Sequence, residues 1–157
     1  MSKIIANVIR PIRTQYFTKV NKVVIVEAIS FLFILLFMYA AVSKFADYDK
    51  FRIQLGQSPL LTDFAKWIAW FIPAVEVVIS LMLAFARSRL KGLYASFTLM
   101  VMFTAYIFTI QNFSDYIPCS CGGILQDMSW TQHLLFNLAF VILGVVGIKL
   151  MSETESQ

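Results

Sequence analysis

Four apolar runs, each long enough to cross a bilayer as a helix, constrain this chain more than any other feature: residues 23–42, 67–86, 93–110 and 130–148. A hydrocarbon core about 30 Å thick takes roughly 20 helical residues. Inside it every backbone N–H and C=O must be satisfied within the segment, and that restricts the runs to helices. The first run holds one charge, Glu27, the second one, Glu76, and the third none. The fourth is polar only near its start, at Thr131, Gln132, His133 and Asn137. Of 157 residues, 59% are hydrophobic and 14% charged, whereas a soluble domain carries about 25% charged residues. The predicted fold is a single all-α membrane protein. It is a four-transmembrane-helix bundle with helices at about 23–43, 64–86, 91–112 and 130–150 and a polar tail at 151–157.

Residues 1–22 read differently. Ile4, Ile5, Val8, Ile9 and Ile12 recur at helical spacing with Lys3, Arg10 and Arg13 between them. The pattern predicts a short interfacial amphipathic helix, stopped or kinked near Pro11. The apolar run that follows exceeds the 7–15 residues of a signal-peptide core, so the segment reads as an anchor rather than a leader. The first loop is long enough for a small surface helix, with Thr62 or Asp63 as the expected cap of the second span. Ser129 and Gln132 form a capping box that starts the last helix near Trp130. Trp67, Trp70 and Trp130 fall near predicted interfaces. Gly144 and Gly147 permit close helix contact, though not at GxxxG spacing.

Charge sets the predicted topology. The N-terminal segment, the loop between spans two and three, and the C-terminal end carry nine Lys and Arg, against three or four in the first loop and none in residues 111–129. Cytoplasmic loops collect Lys and Arg. Both termini are therefore expected in the cytoplasm of a bacterium, with the chain in the inner membrane and the first and third loops in the periplasm. The net charge of +4 has its source in these flanking residues. No stretch interleaves basic and aromatic side chains on a soluble surface, which excludes a nucleic-acid partner.

The third loop carries the only two cysteines, Cys119 and Cys121, separated by Ser120. Placed in the periplasm, they sit where disulfides form and persist. A ring this short strains the Cα separation a disulfide prefers, and strained, exposed disulfides tend to be the labile ones. Pro118 stiffens one side and Gly122-Gly123 loosens the other. Two other readings stand beside redox cycling. A static disulfide pinning the loop is a weak staple, because so small a ring removes little chain entropy. A soft Cu(I) or Zn site lacks obvious third and fourth ligands, since His133 is the only histidine.

The chain resembles the DoxX-like family, and within it the MauE branch. Tyr39-Ala40-Ala41-Val42-Ser43-Lys44, then Pro73-Ala74-Val75-Glu76, then Pro118-Cys119-Ser120-Cys121-Gly122 carry the likeness, in order, over residues 23–150. The resemblance implies a four-helix membrane bundle. It also implies work beside a thioredoxin-like partner in maturing a disulfide-rich enzyme subunit. An aromatic often follows the family's Cys-Gly; here Gly123 stands there.

Three intramembrane or interfacial polar residues add to the site. Glu76 lies near the middle of its span, about 14 Å inside the outer end at 1.5 Å per residue. Intramembrane acids mark functional positions by default. It reads as a proton relay or a hydrogen bond to a quinone, or as a structural bond between helices. His133 shares a helix face with Asn137; it reads as a base favouring the Cys thiolate, or as a bond to a loop carbonyl. Lys44 closes the first span on the cysteine side and would either favour a thiolate or snorkel to the interface. Glu27 is expected to pair with Lys19 or Lys22 or to sit at the lipid interface.

The functional expectation is a thiol–disulfide redox membrane protein. Cys119 and Cys121 are the reacting groups, with a periplasmic thioredoxin-like partner. Glu76, His133 and Lys44 hold a proton or quinone-pocket role, and no metal takes part. A single cysteine pair must hand its electrons to a quinone or to another protein. The rival is a non-catalytic transmembrane subunit that assembles or anchors a larger membrane complex.

Overall fold

The computed structural model describes residues 2–57, 62–113 and 129–155, with residues 2–20, 62, 113, 130 and 155 described by their backbone alone. Five α-helices appear in order: α1 (Ser2–Ala46), α2 (Tyr48–Gly56), α3 (Ala65–Ala84), α4 (Arg89–Phe113) and α5 (Trp130–Glu155). A 3-10 turn, Thr62–Phe64, precedes α3, and the described residues contain no strand. Among the described residues, four stretches are long and apolar enough to cross a membrane: Asn21–Ala46, Ala65–Ala84, Arg89–Asn112 and Thr131–Thr154.

The long helices form an up-and-down bundle in which α1 packs on α3 and α5, and α4 packs on the same two. Each presents a stripe at three- and four-residue spacing, as an amphipathic helix must. On α1 the stripe is Val26, Ile29, Phe33, Phe37, Ala40 and Lys44; on α3 it is Ala65, Ala69, Pro73, Glu76, Ser80 and Leu83. Phe33 stacks on Phe37 at 5.8 Å between ring centroids and meets Phe140 of α5 edge-on at 5.3 Å. Tyr94, Phe31 and Phe108 face outward, as side chains in contact with lipid tails do. The buried hydroxyls of Ser30, Ser80 and Ser96 donate to the carbonyls of Val26, Glu76 and Gly92 one turn back, so their polarity is satisfied within their own helices.

Small residues set how closely the helices approach. A Cβ on Gly144 would lie 3.3 Å from Cβ of Phe97 on α4, and one on Gly147 would lie 3.2 Å from Ile29 on α1. The tightest approach is at the α3–α4 turn, where a Cβ on Gly92 would meet the backbone nitrogen of Leu83 at 3.0 Å. Ser88 closes that turn: its hydroxyl donates to the Met82 carbonyl at 2.8 Å, and its N–H to Phe85 at 3.1 Å. Orphan carbonyls at the end of α3 are thereby satisfied.

Several local expectations meet the structure directly. The Ser129 N–H donates to Oε1 of Gln132 at 2.9 Å, and the Gln132 N–H returns to Ser129 Oγ at 3.4 Å, completing the capping box at the start of α5. The first loop does form a short helix, α2. Neither Thr62 nor Asp63 caps α3. The intervening 3-10 turn moves the N-cap to Phe64, which makes no side-chain cap bond. Where the sequence predicts a break near Pro11, α1 continues unbroken from Ser2 to Ala46. Proline removes one backbone bond and costs about 3 kcal/mol in a helix interior, a penalty that turns on both sides can absorb. The last helix likewise continues through the polar residues after 150, to Glu155.

Candidate functional site

The inward stripes of α1 and α3 bring their charged members, Lys44 and Glu76, together. Lys44 of α1 donates through Nζ to Oε1 of Glu76 on α3. The Lys44 side chain is 5% exposed and that of Glu76 is fully buried. Lys44 is therefore buried rather than snorkelling to the interface. The stripe that buries Phe37 and Ala40 continues to position 44 and turns the lysine inward. The other oxygen of Glu76, Oε2, has no hydrogen-bond partner among the described residues. Glu76 follows Pro73 by one turn of α3, and Pro73 has no N–H to give to the Ala69 carbonyl.

Helix α2 roofs the pair. Phe51 and Leu55 pack with Ala65 and Ala69 of α3, and the Phe51 ring centroid lies 5.8 Å from Lys44 Nζ. Phe103 of α4 faces the same ammonium at 5.5 Å. Both rings are within the roughly 6 Å over which an aromatic face attracts a cation. The sequence contains both phenylalanines but nothing that marks them as cover for a lysine 7 and 59 positions away.

The pair borders a cavity of about 370 Å³ that all five helices line. His133 and Asn137, buried on one face of α5, reach it together with Lys44 and Glu76. The remaining wall is apolar or aromatic and includes Phe37, Phe71, Met100 and Phe103, with Tyr106 adding a phenol. Three of the residues expected to matter, Lys44, Glu76 and His133, thus meet in one place. Cys119 and Cys121 lie outside the described residues. Among those residues, no group of three or more His, Cys, Asp and Glu side chains is placed to hold a metal.

Glu27 lies away from this site. It accepts from Arg89 at 3.4 Å, while Lys22 reaches Glu153 at 2.7 Å. Lys22 thus pairs with α5 rather than with Glu27, and Glu27 pairs with the start of α4.

A family model described as methylamine utilisation protein MauE matches residues 22–150. The chain belongs to the MauE family. The match begins with the first membrane span, ends within α5, and contains the whole cavity and both cysteines. With its four spanning helices, this MauE family member is a multi-pass membrane protein. No curated protein and no solved structure matches it.

Proposed function

We propose that this MauE family member is the membrane-embedded component of a thiol–disulfide redox route. In this reading Cys119 and Cys121 react in the periplasm with a thioredoxin-like partner. Both termini are cytoplasmic in the inner membrane, and the family's description suggests methylamine utilisation as the setting.

The observation that best supports this reading is the gathering of Lys44, Glu76, His133 and Asn137 in the half of the bundle toward the end of α4 and the start of α5. Those are the two helix ends that the cysteine-bearing segment 114–128 joins. Buried charged groups in a membrane bundle are expensive, and function is the usual reason to keep them.

The chemistry is an exchange. A partner thiolate attacks one sulfur of the Cys119–Cys121 disulfide, and the other cysteine leaves as a thiolate. The partner's second thiol then attacks the mixed disulfide. The partner leaves with a disulfide, and this chain holds two thiols. Two electrons and two protons must then pass to an acceptor before the next cycle.

Trapping the intermediate tests the reading. Full-length Cys119→Ser and Cys121→Ser variants, each with one thiol, are mixed in membranes with a thioredoxin-fold protein that lacks its second cysteine and carries thionitrobenzoate on the first. Thionitrobenzoate leaves as the new disulfide forms, and the mixture is resolved without reductant. One of the two variants is expected to accumulate a reductant-sensitive adduct with that protein. No adduct from either variant, together with loss of complex assembly on deletion of the chain, would favour the non-catalytic subunit instead.

A further inference from the structure

Resting on that redox reading for its biological purpose but not for its test, we propose that the 370 Å³ cavity is a binding site for a lipid-soluble quinone, entered sideways from the bilayer between α3 and α4.

The direction of entry follows from the walls. Phe71 of α3 and Met102 of α4 line the cavity, yet they are 62% and 60% exposed on the outer surface of the bundle. Residues that face both a cavity and the lipid mark its mouth. The two helices touch closely at the Gly92–Leu83 turn, and the cavity lies nearer their other ends. A ligand using this mouth arrives through hydrocarbon, so it is lipid-soluble.

The size and chemistry narrow the class further. An apolar cavity of about 150 Å³ accepts benzene, so this one takes a substituted six-membered ring with part of a tail. Its mainly apolar wall with a few convergent polar groups is the usual form of a small-molecule site. Those groups include both donors and acceptors. The Lys44 ammonium and Asn137 amide can donate to quinone carbonyls. Oε2 of Glu76, fully buried and unpartnered among the described residues, can accept from a quinol hydroxyl. A site for a purely apolar lipid tail would have no use for a charged pair in its wall.

The stoichiometry is consistent with the proposed redox route. Two thiols closing to one disulfide release two electrons and two protons, and one quinone takes up the same number to become a quinol. Glu76 and Lys44 would then hold the head group and exchange protons with its oxygens.

Binding is measured directly. The full chain is placed in nanodiscs of quinone-free phosphatidylcholine and titrated with decylubiquinone, with thermal stabilisation as the readout. Wild type is expected to show saturable stabilisation that decylbenzene does not reproduce. Met102→Trp, which fills the mouth from an exposed position, should weaken binding about tenfold or more, within the range set by a misfit in an apolar pocket. The Cys119→Ser/Cys121→Ser double variant should bind as wild type does. No saturable binding, equal stabilisation by decylbenzene, or wild-type affinity in Met102→Trp would each overturn the site. Because the cysteine-free variant tests binding alone, the quinone site and the redox reading fail separately.

Discussion

Replacing Lys44 with methionine is expected to destabilise the bundle by about 3–5 kcal/mol, the usual cost of removing one partner from a buried ion pair. The substitution keeps most of the side-chain volume and leaves the Glu76 carboxylate buried among apolar walls with no counter-charge. It also removes the cation that Phe51 and Phe103 face. Replacing both residues, as Lys44→Met/Glu76→Met, should recover most of the loss, because an apolar pair of similar volume often matches a buried ion pair in stability. Unfolding of the single and double variants in the same detergent gives the coupling energy. Additive losses would mean that the two side chains do not depend on each other. Recovery of stability without recovery of function would identify the pair as kept for chemistry.

The second large effect is expected at Gly92. Valine there places a Cβ about 3.0 Å from the Leu83 nitrogen and 3.1 Å from two Leu83 side-chain carbons, before its two methyl groups are counted. Backbone does not yield as a flexible side chain does, so α4 must move away from α3. Overpacking of this kind costs roughly 1–3 kcal/mol. Gly56 provides a matched comparison of opposite sign. At the end of α2, a Cβ there meets only Ala65 Cβ at 3.9 Å, ordinary contact. Gly56→Ala should therefore be neutral or stabilising by up to about 1 kcal/mol, from helix propensity alone. Thermal unfolding of both variants checks the contrast; equal responses would show that close approach at the turn is not what requires glycine.

The four spans, the capping box and the small helix in the first loop were legible because each depends on residues near one another in sequence. Hydropathy marks a span, and Ser129 and Gln132 are three positions apart. The Lys44–Glu76 pair was not read from the sequence, for a different reason. A lysine at the end of an apolar run most often snorkels to the headgroups. What opposes this is the contact with Glu76 of α3, which holds Lys44 inside the bundle. The two charges come from different helices, 32 positions apart, so nothing local to either one marks the pairing. One signal was nevertheless present. Lys44 continues the three-and-four spacing of Phe33, Phe37 and Ala40, and Glu76 that of Ala69 and Pro73, so both stripes aim a charge inward. Likewise Glu27 was read against residues nearby, whereas Arg89, which pairs with it, comes from another helix.

The distribution of polarity separates two parts of the bundle. At the turn end, Phe33, Ile79, Leu83 and Leu93 make a dry core in which the serine hydroxyls are satisfied by their own helices. At the opposite end, four buried polar side chains border a cavity. Packing alone does not require that asymmetry, since apolar residues at positions 44 and 76 would continue each stripe.

The most direct measurement is the redox titration of Cys119 and Cys121 in the full chain, equilibrated at graded thiol–disulfide potentials and alkylated to count free thiols. A cycling pair is expected to titrate at a potential clearly above about −300 mV, the level below which structural disulfides in secreted proteins typically lie. A pair that remains oxidised below that level would contradict the redox function and leave the cysteines as a fixed feature of the loop.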